Sequence, residues 1–187
     1  MKVSIGVSNR HVHLTKEHLE ILFGEGYELQ KKVDINQPGQ FAATDLVTIK
    51  TPKSEIENVR ILGPIRPYTQ VEISKTDAYK LGLNPPIRDS GDLKGSSPIT
   101  IIGPKGTIDI EEGCIIANRH IHILPNQMKS YGLEGREMVS VKINGEKGGI
   151  LANVKLKVSE EAYFELHIDT DDANAHLIKN GDIGEII

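Results

Sequence analysis

Apolar residues along most of this chain come in short, β-branched runs separated by polar and glycine-containing breaks. The runs at 46–50, 59–62, 70–74, 99–102, 107–110, 139–143, 154–158 and 164–168 are rich in Val, Ile and Thr and have the length of single strands. Between two of them, Gly103-Pro104-Lys105-Gly106 has the composition of a hairpin turn. Helical signals are few and short. The spacing predicts helices over 16–23 (stopped by Gly24), 77–80 (before Gly82), 126–130 (after Pro125) and 171–179. The last has Thr170 as N-cap and Gly181 at its end. Short strands at regular spacing imply a mainly β fold of small barrels or sandwiches.

The pattern is duplicated. Asn9-Arg10-His11-Val12-His13 recurs as Asn118-Arg119-His120-Ile121-His122, 109 residues later. The block 45–50 matches 137–142 at a spacing of 92, while 58–61 matches 153–156 and 73–78 matches 168–173 at 95. Four blocks in the same order mark an internal repeat. The fall in spacing leaves the first half with 17 extra residues after its His pair, roughly 24–40. A Pro-, Gly- and Ser-containing stretch from Asn84 to Pro98 separates the repeats, as a linker or as a loop over a site.

The repeats carry chemistry. Residues two apart on a strand share a face, so each His-x-His presents two imidazoles side by side. One such pair alone is more often a pair of surface histidines. Aligning Ile73 with Ile168, however, sets Glu72 opposite His167, and each half then offers three ligand types. These are His11, His13 and Glu72 in one half and His120, His122 and His167 in the other. His₂Glu and His₃ are common donor sets for catalytic zinc, which keeps a coordination position open. Arg66 aligns with Glu161, so only one half has an arginine there; its planar fork suits phosphate or carboxylate. Arg60 and Lys53 are further basic candidates in that half. Arg10 and Arg119 should face away from the first His of each pair.

Composition narrows the classes. The 187 residues carry a net charge of −4 with no Trp and no basic run, which argues against nucleic acid as partner. The one cysteine, Cys114, excludes an internal disulfide and reads as a small buried hydrophobe in a protein of a reducing compartment. No stretch reads as a leader or a membrane span. His18 and His176, on short helices, read as solvated, and Asp169, Asp171 and Asp172 as an acidic helix start. No P-loop or dinucleotide fingerprint is present.

Taken together, residues 7–14, 63–66, 69–74, 88–93, 118–122 and 167–175 resemble the PduL-type phosphotransacylases (phosphate propanoyltransferases) over essentially the whole chain. The resemblance implies two tandem small β-barrels with a few short capping helices. Because the barrels of that family exchange their first strand, it implies one domain from 10–117 and a second from 1–9 plus 118–187. The implied reaction interconverts acyl-CoA (propanoyl-CoA or acetyl-CoA) plus phosphate with acyl phosphate plus coenzyme A. Two zinc ions per chain are implied, one on His11, His13 and Glu72, the other on His120, His122 and His167. Arg66 is implied as the catalytic, phosphate-binding residue, with Ser8, Asn9, Arg10, Lys53, Arg60 and Asn174 near coenzyme A. Many relatives carry an N-terminal targeting extension for a bacterial microcompartment. Here Lys2 already begins the first strand, so the expectation is a cytoplasmic bacterial enzyme acting on small molecules, without nucleic acid or membrane. A homo-oligomer, or shell and lumen partners of a microcompartment, are left open. Two rival readings remain at this point: a dinuclear zinc hydrolase that uses water in place of phosphate, and a metal-binding scaffold without activity.

Overall fold

The computed structural model describes residues 1–187. In chain order its elements are β1 (Lys2–Ser8), β2 (His11–His13), α1 (Lys16–Phe23), β3 (Lys31–Asp34), β4 (Phe41–Lys50), β5 (Glu55–Gly63) and β6 (Gln70–Glu72). Then come α2 (Lys75–Leu81), β7 (Ile87–Arg88), β8 (Ser97–Ile102), β9 (Thr107–Ala117), β10 (His120–Ile123) and α3 (Pro125–Ser130). The chain ends with β11 (Met138–Ile143), β12 (Gly149–Val158), β13 (Glu165–Asp169), α4 (Thr170–His176) and β14 (Ile183–Ile186).

The strands form two closed six-stranded barrels, in two compact units: Arg10–Ala117, and Met1–Asn9 with Asn118–Ile187. The first ring runs β4-β5-β2-β6-β9-β8 and back to β4. The second runs β11-β12-β10-β13-β1-β14 and back to β11. Both rings have parallel pairs at the same two places, β5/β2 and β6/β9 in one, β12/β10 and β13/β1 in the other. Closure leaves no free edge in either ring. The strand ahead of each His pair closes the ring that does not contain that pair. Thus β1 completes the ring of β10, and β9 completes the ring of β2.

Alternation explains which residues fill each barrel. Val12, Ile61, Val71, Ile49, Ile101 and Cys114 belong to one core, and Ile5, Ile121, Ile123, Val141, Val154 and Leu166 to the other. Each fully buried Ile or Leu contributes about 1.5–3 kcal/mol of transfer free energy. The repeat also shows in a backbone detail. Asn58 and Asn153, the first residues of the matched 58–61 and 153–156 blocks, both take left-handed φ values of 59° and 55°, a conformation Asn tolerates better than most residues.

The helices differ in detail from the sequence expectations. In α4 the N-cap is Asp169, whose Oδ1 accepts from the Asp172 amide at 2.9 Å, and Thr170 is the first helical residue. It ends at His176 because Leu177 turns left-handed (φ 55°). Helix α2 is longer than expected; Ser74 caps it by accepting from the Asp77 amide, and Gly82 closes it with φ 70°. The extra residues of the first half contain β3, an exposed strand on the edge of β4; its Lys-Lys-Val-Asp sequence lacks the alternation that would reveal it. No helix is long and apolar enough to cross a membrane.

Candidate metal and phosphate site

The register fixes the donor sets. Strand β2 pairs with β6 so that His11 stands opposite Glu72, and β10 pairs with β13 so that His120 stands opposite His167. The middle residues Val12 and Ile121 are fully buried in their barrels, so the flanking imidazoles project from the outer face of the ring. They are nevertheless shielded from solvent: His11, His13 and His122 are 7%, 2% and 8% exposed.

In the first set, His11 Nε2 lies 3.3 Å from Glu72 Oε2 and His13 Nε2 lies 3.9 Å from Glu72 Oε1. His13 Nδ1 is 3.3 Å from the Leu62 carbonyl, an acceptor for Nδ1–H that leaves Nε2 with the lone pair. In the second set, His120 Nε2 and His122 Nε2 are 3.1 Å apart, and His120 Nδ1 faces the Asn118 carbonyl at 2.8 Å. The donor atoms of each triad lie within 4.8 Å of one another. The donor–donor edge of a tetrahedral zinc site, with arms of 2.0–2.1 Å, is about 3.3 Å, so both triads fit such an ion. Burial and neighbouring histidines push the His13 pKa down to about 3 and the His122 pKa to about 2. At neutral pH both are uncharged imidazoles, the form that binds metal.

Arg66 approaches the first set through a relay of neutral groups. Its Nη1 donates to Ser90 Oγ at 3.0 Å and to the Tyr68 hydroxyl at 3.4 Å, and its Nη2 to Gln40 Oε1 at 3.4 Å. Gln70 Nε2 donates to Ser90 Oγ at 2.9 Å and to Glu72 Oε1 at 2.5 Å, and Gln70 Oε1 accepts from the Gly91 amide at 2.7 Å. No carboxylate lies within ion-pair distance of Arg66, whereas Arg10, Arg88 and Arg119 each pair with an aspartate. The segment from Asn84 to Pro98 therefore delivers Ser90 and Gly91 to the donor set. It also adds β7, paired with β9.

The remaining candidates have partners or exposures of their own. Arg10 Nε and Nη2 grip the buried Asp77 at 2.9 Å each, and Arg119 forks onto Asp172 at 2.7 Å; both guanidiniums tie a His strand to the helix after the third donor. Arg60 Nη1 donates to the Ala43 carbonyl, and Lys53 Nζ to the Tyr79 carbonyl at 3.0 Å. Ser8 is half-buried, and Asn9 and Asn174 are exposed. His18 and His176, expected to be solvated, are tethered, with Nδ1 at 2.7 Å from Thr69 Oγ1 and 2.9 Å from the Lys147 carbonyl respectively. Cys114 is fully buried and its thiol is pushed up to about 12 by burial, which removes it as a nucleophile.

Sequence reasoning missed Gln40, Gln70, Ser90 and Glu165. Gln70 and Glu165 each sit two residues before a donor, on its face, so strand periodicity alone could have found them. Gln40 and Ser90 come from loops, which no periodicity reports.

Known proteins resemble this chain over nearly its whole length. A family model described as phosphate propanoyltransferase matches residues 4–179. The phosphate propanoyltransferase of Thermotoga maritima is 52% identical over 186 residues, covering 99% of this chain and 89% of that one. That of Priestia megaterium is 53% identical over 182 residues (97% and 84%), and that of Salmonella typhimurium 45% over 174 residues (92% and 82%). With likeness of this extent, the chain belongs to the phosphate propanoyltransferase family and is an acyltransferase.

Proposed function

We propose that the chain exchanges an acyl group, propanoyl or acetyl, between coenzyme A and inorganic phosphate by direct attack of phosphate on the thioester carbonyl. The observation that carries this reading is Arg66: a guanidinium without an acid partner, held in place by neutral acceptors, linked through Ser90 and Gln70 to a metal-donor carboxylate. Such a fork is preorganised for an oxyanion ligand and gives up little to receive it.

His11, His13 and Glu72 would hold one zinc ion, and His120, His122 and His167 the second. Bound there, zinc would supply Lewis-acid polarisation and a soft partner for a thiolate. The chain's own residues do the rest. Arg66 takes two phosphate oxygens, aligns a third with the carbonyl carbon and offsets the charge of the tetrahedral adduct. Ser90, Tyr68 and Gln40 keep the guanidinium from swinging away. As the C–O bond to phosphate forms and the C–S bond breaks, coenzyme A leaves as its thiolate. No side chain needs to carry the acyl group, and the buried Cys114 is unsuited to do so. Ser8, Asn9, Arg10, Lys53, Arg60 and Asn174 are assigned to coenzyme A.

The test follows thiol release and products from propanoyl-CoA and acetyl-CoA, with and without phosphate. Acyl phosphate formed in step with free thiol, only when phosphate is present, is the expected result. Free acid without phosphate dependence would show a hydrolase instead, and a blank assay a scaffold.

A further inference from the structure

The two barrels treat their third donor in a matched but inverted way. Gln70 precedes Glu72 by two residues, and Glu165 precedes His167 by two; the repeat aligns Gln70 with Glu165 at the same spacing of 95 that aligns Glu72 with His167. In the first barrel the Gln70 amide donates to the Glu72 carboxylate at 2.5 Å. In the second, Glu165 Oε2 lies 2.8 Å from His167 Nε2, as acceptor for the imidazole N–H. Where the donor changed from carboxylate to imidazole, its neighbour changed from hydrogen-bond giver to hydrogen-bond receiver. Glu165 is also 5% exposed, and a carboxylate is rarely buried without a partner to justify it.

The barrel makes room for this pair. Gly6 on β1 stands opposite His167, and a Cβ there would come within 3.0 Å of Glu165 Cδ and Oε2 and of His167 Cδ2. The equivalent position in the first barrel, 109 residues on, is Ile115, so that barrel has no such requirement. The glycine is needed for space, since its φ is not positive.

We propose that Glu165 and Gln70 are paired positioning residues, each locking the third metal donor of its barrel, with Glu165 holding His167 in the Nε2–H tautomer over the cradle of Gly6. The inference rests on the metal-site reading of the two triads. Partners of this kind typically contribute 10–100-fold to metal affinity by fixing tautomer and ring orientation.

Zinc titration of the full chain tests it, with Glu165→Ala, Glu165→Gln, Gly6→Ala and Gln70→Ala compared with wild type. The His167 tautomer is followed by nitrogen-15 NMR in the metal-free protein. Wild type should take two equivalents. Glu165→Ala and Gly6→Ala should weaken one of them about 10–100-fold and Gln70→Ala the other. Glu165→Gln, which keeps an acceptor oxygen, should lose less than Glu165→Ala. The His167 Nε2–H tautomer should dominate in wild type and become mixed in Glu165→Ala. Two equivalents bound by Glu165→Ala at wild-type affinity, or an unchanged tautomer, would overturn the inference. No zinc bound by wild type would instead sink the metal-site reading, and the tautomer measurement would still decide the role of Glu165.

Discussion

Replacing Arg66 probes the site most sharply because the structure separates its roles. The side chain is half-buried and makes one hydrogen bond of ordinary length, to Ser90 Oγ at 3.0 Å; those to Tyr68 and Gln40 are 3.4 Å. Its partners are neutral, so truncation strands no buried charge, and the stability cost should stay within about 1 kcal/mol. Phosphate, in contrast, loses a fork of two charge-assisted hydrogen bonds at about 1.5–3 kcal/mol each. Allowing for water that replaces part of this, Arg66→Ala should lower kcat/KM for phosphate by roughly 10²–10³. Arg66→Lys, with the charge but without the fork, should fall in between. The assay is thiol release from propanoyl-CoA over a wide range of phosphate concentration, with zinc content and thermal unfolding measured on the same samples. Zinc content should match wild type, and the melting temperature should stay within about 4 °C of it. If zinc is lost in proportion to activity, Arg66 is structural; if the phosphate dependence is unchanged, it does not bind phosphate.

Further outcomes follow from the same geometry. Ser90→Ala removes the acceptor shared by Arg66 and Gln70 and should lower kcat/KM for phosphate about 10-fold, with zinc content retained, as measured in the same assay. Asp77→Asn breaks the fork with Arg10 and should destabilise by about 1.5–3 kcal/mol in urea unfolding. Combined with Arg10→Gln it should be less than additive, and full additivity would show that the fork is energetically idle. The metal-free protein should be acid-labile. His13 and His122 titrate near 3 and 2 when folded, below the 6.5 of a free imidazole, so between those values the unfolded chain holds more protons. Stability is then complete above about pH 6.5 and lost as pH falls, by up to about 1.4 kcal/mol per histidine per pH unit. A urea midpoint that stays flat from neutral pH to about pH 5 would contradict this.

Much of the candidate metal site was legible in the sequence because strand periodicity is local. His11 and His13, or His120 and His122, share a face whatever the rest of the chain does, and the repeat then singled out Glu72 and His167 as matched third candidates; the strand register sets them beside the pairs. Helix α1 was equally plain, stopped by Gly24; its N-cap, Thr15, is seen in the structure. Nothing local in β1 says that it pairs with β13 and β14, more than 150 residues away, and not with β2. The exchange of first strands came from family resemblance alone. Ser90 and Gln40 were hidden for a related reason: loop geometry brings them to Arg66 across 24 and 26 residues. The spacing of His18 on a helix did not reveal that Thr69 would hold it.

In the proposed reaction phosphate itself attacks the thioester, and one measurement addresses that step directly. Zinc-loaded protein is mixed with an equimolar amount of propanoyl-CoA carrying label in the acyl group, first without phosphate and then with it, and free thiol, protein-bound label and acyl phosphate are followed through one turnover. Direct attack predicts no thiol and no labelled protein in the first phase, then thiol and acyl phosphate appearing together in equal amounts once phosphate is added. A burst of thiol with label on the protein before phosphate arrives, or free propanoate in place of acyl phosphate, would contradict it.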